Sequence, residues 1–310
     1  MSWLVIATIA YFLLSLEIIL DKFLLSSKRI SHPIVYAFYS GTFGLFAFVF
    51  SPFGFHAVDP IEAIVRFIAG IIFIYGMLAL FFAINKSEAS RVTPVVGAVV
   101  PIVLFFLALI FLGERLHTRE LIGLILLIVG GLSISYDFSH TRTQKLFKGF
   151  YWSILAGVLL ALSAVFFKGF YQYDNFYNVF IWTRAGAFLG VLSFFIVPSW
   201  RKILLGSLVK FKKPEKEHKT SGFMFTLTKA TGGTGSFLKE RAVSLPLASV
   251  TIVNAMVATE YVFIFLLGII FSLWMPNVFE EKKDWKSITQ KLLAIIIITV
   301  GIVLVSRAQK

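Results

Sequence analysis

The sequence predicts an all-α integral membrane fold: ten transmembrane helices arranged as two inverted five-helix repeats. Three observations carry that expectation. Apolar residues make up 58% of the chain and charged residues only 15%, with a mean hydropathy of +0.87, so polar surface is too scarce to cover a water-soluble core. Apolar runs recur along the whole length, and stretches such as Ala98–Leu112 carry no charge. Crossing a hydrocarbon core takes ~20 mostly apolar residues per helix. Finally, the runs repeat one another in order. Strand-length alternation is absent, which sets a barrel aside.

In chain order, helices are expected over 2–25, 33–51, 60–84, 89–112, 118–136, 148–169, 176–198, 221–241, 246–273 and 287–306. The first run has no basic segment before it and no small-residue cleavage site after it, so it reads as a retained helix, not a signal peptide. Polar and turn-forming clusters separate the others, and Lys210–Lys219 is the one long hydrophilic insert. One offset places Lys22 on Lys168 and Leu16 on Leu162, and sets Ser40, Gly44, Phe48 and Pro52 on Gly186, Gly190, Phe194 and Pro198. A longer offset places Gly76, Ala83, Ala89 and Ser90 on Gly235, Ala242, Ala248 and Ser249; a longer one still brings Gly130 and Ser135 onto Gly301 and Ser306. The order is preserved across all helix pairs. The repeats are expected at 1–140 and 147–310, the second with a basic loop at 199–220. An odd number of spans per repeat inserts the second upside down, the usual basis of alternating access around a midplane site.

Several function classes drop out. The chain has no cysteine, which excludes disulfides and thiol chemistry. The net charge of +13 comes mostly from basic residues between apolar runs, where anionic lipid headgroups are the expected partner and nucleic acid is not. His32, His56, His117, His140 and His218 all fall in loops, and no paired-His, nucleophile-elbow or phosphate-loop motif occurs. No catalytic residue, metal or cofactor is expected. The expected partners are membrane lipids and a small-molecule substrate, for a monomer or weak homodimer in the plasma or inner membrane.

The run from Ala79-Leu80 to Ala89-Ser90, then Pro94, Pro101, Leu112-Gly113-Glu114-Arg115-Leu116, Gly123 and Gly130, resembles the EamA-type domain of the drug/metabolite transporter superfamily. Asp21-Lys22 and the counterpart Lys168 fit the same pattern. The resemblance implies ten helices carrying metabolites, amino acids, sugars or drugs. The second half departs from it: Glu260 stands where the first half has Pro101, and 271–279 lacks the Gly-Glu-Arg-Leu turn.

Ionisable side chains at membrane depth cost at least ~2.5–3.5 kcal/mol on insertion scales, so they are expected to face a cavity or a partner. Glu260, near the centre of the ninth helix, is the first candidate for proton coupling and, with Lys229, a candidate for substrate binding through a substrate amine, with Glu17 of the first helix second for coupling. The alternative for Glu260 is a structural pair with Lys229 or Arg184. Lys229 sits in the polar run Thr226–Gly235 of the eighth helix, acceptable only against protein or a water-filled cavity. There Gly232, Gly233 and Gly235 are expected to give flexibility or close substrate approach, or else a small-residue packing face. Arg184 can fork onto a carboxylate, or tie helices together beside Gly186-xxx-Gly190. Arg66 is a further substrate candidate that lies shallow enough to snorkel. Tyr75 joins these as a cavity-lining candidate. The expected function is a secondary active transporter of an anionic or zwitterionic metabolite, resembling an amino acid or sugar phosphate, with proton coupling. A drug or cation efflux carrier is the alternative, and an intramembrane enzyme or a channel the other classes.

Overall fold

The computed structural model describes residues 2–25, 32–87, 89–135, 148–211, 218–274 and 285–308, all helix or short connection. The helices are α1 Trp3–Leu25, α2 Pro33–Phe43, α3 Pro60–Lys86, α4 Ala89–Phe111, α5 Thr118–Ser135, α6 Phe150–Tyr171, α7 Phe176–Ser193, α8 Pro198–Phe211, α9 His218–Ser244, α10 Val250–Ala255, α11 Val257–Trp274 and α12 Trp285–Ala308. Local chemistry sets several starts. Pro33 and Pro60 occupy first-turn positions, where a missing N–H costs nothing. The Asp59 carboxylate accepts from the Ile61 amide at 3.1 Å, and the Asn175 side-chain oxygen accepts from the Asn178 amide at 2.9 Å. Past α2 the chain tightens into a 3-10 turn over Gly44–Phe53 and stops at Gly54, whose φ of 119° is left-handed.

Among the described residues, eight segments are long and apolar enough to cross a membrane; Pro33–Phe53 and Val250–Phe271 each count once. α5 and α9 are not among them. α9 carries the polar run Thr226–Gly235, and among the described residues twelve α-helices stand where ten were expected, so the count of ten is not exact. α4 exposes Ile102, Phe106, Leu109 and Ile110 at helical spacing, and α12 exposes Leu292, Ile296, Val300 and Val303. Such stripes are a liability in water and a match for lipid. The chain is a multi-pass membrane protein.

Two of the expected boundaries change. The basic loop over 199–220 contains α8, because Trp200, Ile203 and Leu204 fall on one helical face and Leu204 is fully buried against the α2–α3–α7 core. Residues 212–217 of that loop, and 136–147 between the expected repeats, lie outside the described residues. The expected ninth helix is two pieces, α10 and α11, separated at Met256.

The chain divides into two compact units, each drawing helices from both halves of the sequence. One holds α1, α5 and α9–α12; the other holds α2–α4 and α6–α8. In the first unit α1 packs on α9 and α11; in the second α6 packs on α3 and α4, the pairing that the sequence offsets relate. The match reaches single residues. A Cβ on Gly76 of α3 would meet Leu160 of α6 at 3.1 Å, and one on its counterpart Gly235 of α9 would meet Leu14 of α1 at 3.0 Å. Backbones also approach closely between α3 and α7, where a Cβ on Gly186 would lie 2.6 Å from the Phe67 carbonyl oxygen, and between α5 and α12, where one on Gly123 would lie 2.9 Å from that of Gly301. Small residues at such crossings let helices gain dispersion contact without a hydrophobic driving force between them.

Candidate functional site

In the first unit, the polar middle of α9 lies along α1. Lys229 donates to the Glu17 carboxylate at 2.9 Å, with side chains 15% and 22% exposed. Less than one turn further on is Gly232. A Cβ there would overlap the Glu17 carboxylate, so the bare glycine makes the seat on which Glu17 lies. Gly235 meets the Ala10 carbonyl oxygen and Leu14 on the same face, whereas Gly233 points into open space. α9 runs unbroken through all three, so Gly232 and Gly235 serve its contact with α1.

Glu260 stands in the first turn of α11, directly after the interruption at Met256, and is 8% exposed. The charged groups acting on it are Lys239 of α9 and Glu17 of α1. Among the described residues no cation lies within ion-pairing distance of its carboxylate; Lys229 is engaged with Glu17. α10 is held at its start by Glu114, from the Gly-Glu-Arg-Leu turn, whose carboxylate accepts from the Ser249 hydroxyl at 2.5 Å and the Val250 amide at 3.2 Å.

The second unit holds the remaining candidates. Arg66 lies on the second turn of α3. Its side chain is fully buried, and its Nη2 donates to Asp174 at 2.7 Å and to Glu62 one turn back, with the guanidinium 5.5 Å from the Phe170 ring centre. Asp174 also accepts from the Asn178 side chain at 2.7 Å and the Asn175 amide at 2.6 Å. Asn178 accepts from the His56 amide, Asn175 donates to the Gly54 carbonyl, and Trp182 donates to that of His56. This network binds the α6–α7 link to the segment entering α3. Burial acts to raise the Asp174 carboxyl, but hydrogen bonds from Asn178, Arg66 and Asn175 and the Arg66 charge outweigh it and hold it below its ordinary value. Arg184 is 6% exposed and lies over the rings of Phe73 and Phe180, 4.8 Å from each. Tyr75 shares a 2.7 Å hydrogen bond with Ser193 of α7.

Sequence reasoning found the charges inside apolar runs and missed their loop-borne partners. Asp174 and His56 sit in short connections where a polar residue carries no signal. Glu114 appeared only as part of a motif.

Residues 1–136 match the EamA-like transporter family. That match covers less than half of the chain, and over this stretch the chain is similar to the family. An uncharacterized protein of Methanocaldococcus jannaschii is 32% identical over 68 residues, 22% of this chain, and the chain spans about half of that relative's length (49%). A solved crystal structure superposes with a TM-score of 0.67 at 14% identity, covering 99% of this chain and 97% of the other, which shows the fold alone. The EamA-like stretch, residues 1–136, is thus similar to a transporter family. Its quoted motif residues have work here: Glu114 caps α10, and Gly123 and Gly130 bring α5 against α12.

Proposed function

We propose that the chain is a secondary active carrier of a small anionic or zwitterionic metabolite, working by alternating access and coupled to protons, in a plasma or inner cell membrane. The observation that carries this reading is the Glu17–Lys229 pair, half-buried on the Gly232 seat in the polar stretch of a transmembrane-length helix, with Glu260 buried nearby in the same unit. On this reading the pair opens when the substrate arrives. Lys229 then contacts the negative group of the substrate, and Glu17 receives a positive one if the substrate carries it. Glu260 is the proton-coupling group, because a buried carboxyl with no salt-bridging cation among the described residues exchanges its proton with the state of the site around it. Arg66, clamped by two carboxylates, is structural. Membrane lipids surround a monomer or weak homodimer.

The test is transport in proteoliposomes. Glu260→Gln is expected to abolish accumulation driven by a pH gradient while leaving substrate counterflow intact. Wild-type accumulation in that variant removes Glu260 from the coupling role. A ligand panel read by thermal shift supplies the substrate for the assay.

A further inference from the structure

The helix formed by α10 and α11 is interrupted at Met256. The Met256 amide donates to Ile252 at 3.0 Å and that of Thr259 to Met256 at 2.8 Å. Tyr11 of α1, 2% exposed, donates its hydroxyl to the Val253 carbonyl at 2.8 Å, with that of Asn254 at 3.4 Å. Glu260 follows the interruption and lies within electrostatic reach of Tyr11. The repeat supplies an internal control. The offset that carries Leu16 to Leu162 carries Tyr11 to Gly157, and there α4 runs unbroken over Ala89–Phe111. Packing the same pair of helices therefore needs neither the phenol nor the interruption.

We propose that Tyr11 is a positioning residue for Glu260: its hydroxyl holds the interruption around Val253–Met256 closed and so fixes where the Glu260 carboxylate stands. The proposal rests on the reading of Glu260 as the coupling group. The groups facing Glu260 are Tyr11 and Glu17 from α1, Lys239 from α9 and Tyr261 of α11 itself; among the described residues none from α5, α10 or α12 acts on it.

The experiment uses the full chain. Tyr11→Phe deletes only the hydroxyl, and amide hydrogen exchange at 253–258 is expected to rise roughly threefold to tenfold, as for loss of one hydrogen bond. In proteoliposomes the pH of half-maximal uptake is expected to move by about half a unit or more. Unchanged exchange, or an unmoved midpoint, overturns the proposal. Should Tyr11→Phe not fold, 3-fluorotyrosine at position 11 keeps the ring and alters the hydroxyl as a donor; an unmoved midpoint there is equally fatal. Glu260→Gln is run alongside. If it still accumulates substrate, the coupling reading fails and the positioning role goes with it; if it is uncoupled while Tyr11→Phe keeps the wild-type midpoint, only the Tyr11 proposal falls.

Discussion

Where α9 of one unit carries Lys229 against Glu17 of α1, the corresponding places in the other unit hold Gly70 on α3 and Ser163 on α6. Gly70 there faces the backbone of α7, and Ser163 turns its hydroxyl back to the Leu160 carbonyl at 2.9 Å. Glu260 likewise corresponds to Pro101, and Tyr11 to Gly157. The same pairing of helices is thus built twice, once with neutral or small residues and once with an ion pair, a buried carboxyl and a buried phenol. Packing does not require the charges. Because each costs free energy at membrane depth, their presence in one unit alone is best accounted for by use. Among the second unit's buried cations, Arg66 is held differently: two carboxylates and full burial make a clamp, whereas Lys229 and Glu17 keep partial exposure.

The largest effect should come from breaking that clamp. Arg66→Met leaves Glu62 and Asp174 facing each other without a cation and is expected to cost on the order of 3–5 kcal/mol, read as a large drop in thermal midpoint in detergent. A drop no larger than that of Lys229→Met would show that the two cations are held alike. Next comes the exchange of contents between units. Glu17→Ser combined with Lys229→Gly installs the neutral pair of the other unit; transport should fall by about two decades, equivalent to ~2.8 kcal/mol, while the folded yield stays near wild type. Retained transport would mean the pair is only packing.

The glycines sharpen the contrast further. Gly70→Ala drives a methyl into the Thr183 carbonyl, a backbone atom that cannot step aside, and should destabilise by ~1–3 kcal/mol. Gly232→Ala meets only the mobile end of Glu17, so its expected signature is the reverse: stability changed by less than about 1 kcal/mol, with substrate affinity weakened. Equal losses of thermal stability in the two variants would contradict the seat assigned to Glu17.

The smallest effect is acid sensitivity. Asp174 is held below its ordinary value in the folded protein, so its stabilising contribution is complete above about pH 4, the unfolded value, and is lost as pH falls through the lowered folded value. Thermal midpoints measured from neutrality to pH 3 should therefore decline more steeply in the wild type than in Asp174→Asn. Parallel curves would assign the acid response elsewhere.

Much of this was legible in the sequence because hydrophobic runs and isolated charges are strong local signals. α3 is expected over 60–84 and found over Pro60–Lys86; Glu17, Lys229 and Glu260 stand out as charges that lipid would not tolerate. The choice of partner is not local. Lys229 pairs with a residue 212 positions away and not with Glu260, and only the packing of α1 on α9 decides that. The interruption at Met256 has neither Pro nor Gly beside it to announce it. α8 shows the opposite failure: Trp200, Ile203 and Leu204 carried a helical signal that the surrounding basic residues masked. Asp174 is an ordinary loop carboxylate until Arg66 is brought beneath it.

The interleaving of the units also sets a timetable for biosynthesis. The unit containing α2–α4 and α6–α8 has all of its chain by residue 215, whereas α1 cannot meet α9 until residues 218–244 have been made. At ordinary elongation rates of ~5–20 residues per second, α1 waits roughly 10–40 s in the membrane without its principal partner. Throughout that interval Glu17 has no Lys229. The nascent first helix therefore completes its pairing only after most of the chain has been made, the earliest helix closing onto one of the latest.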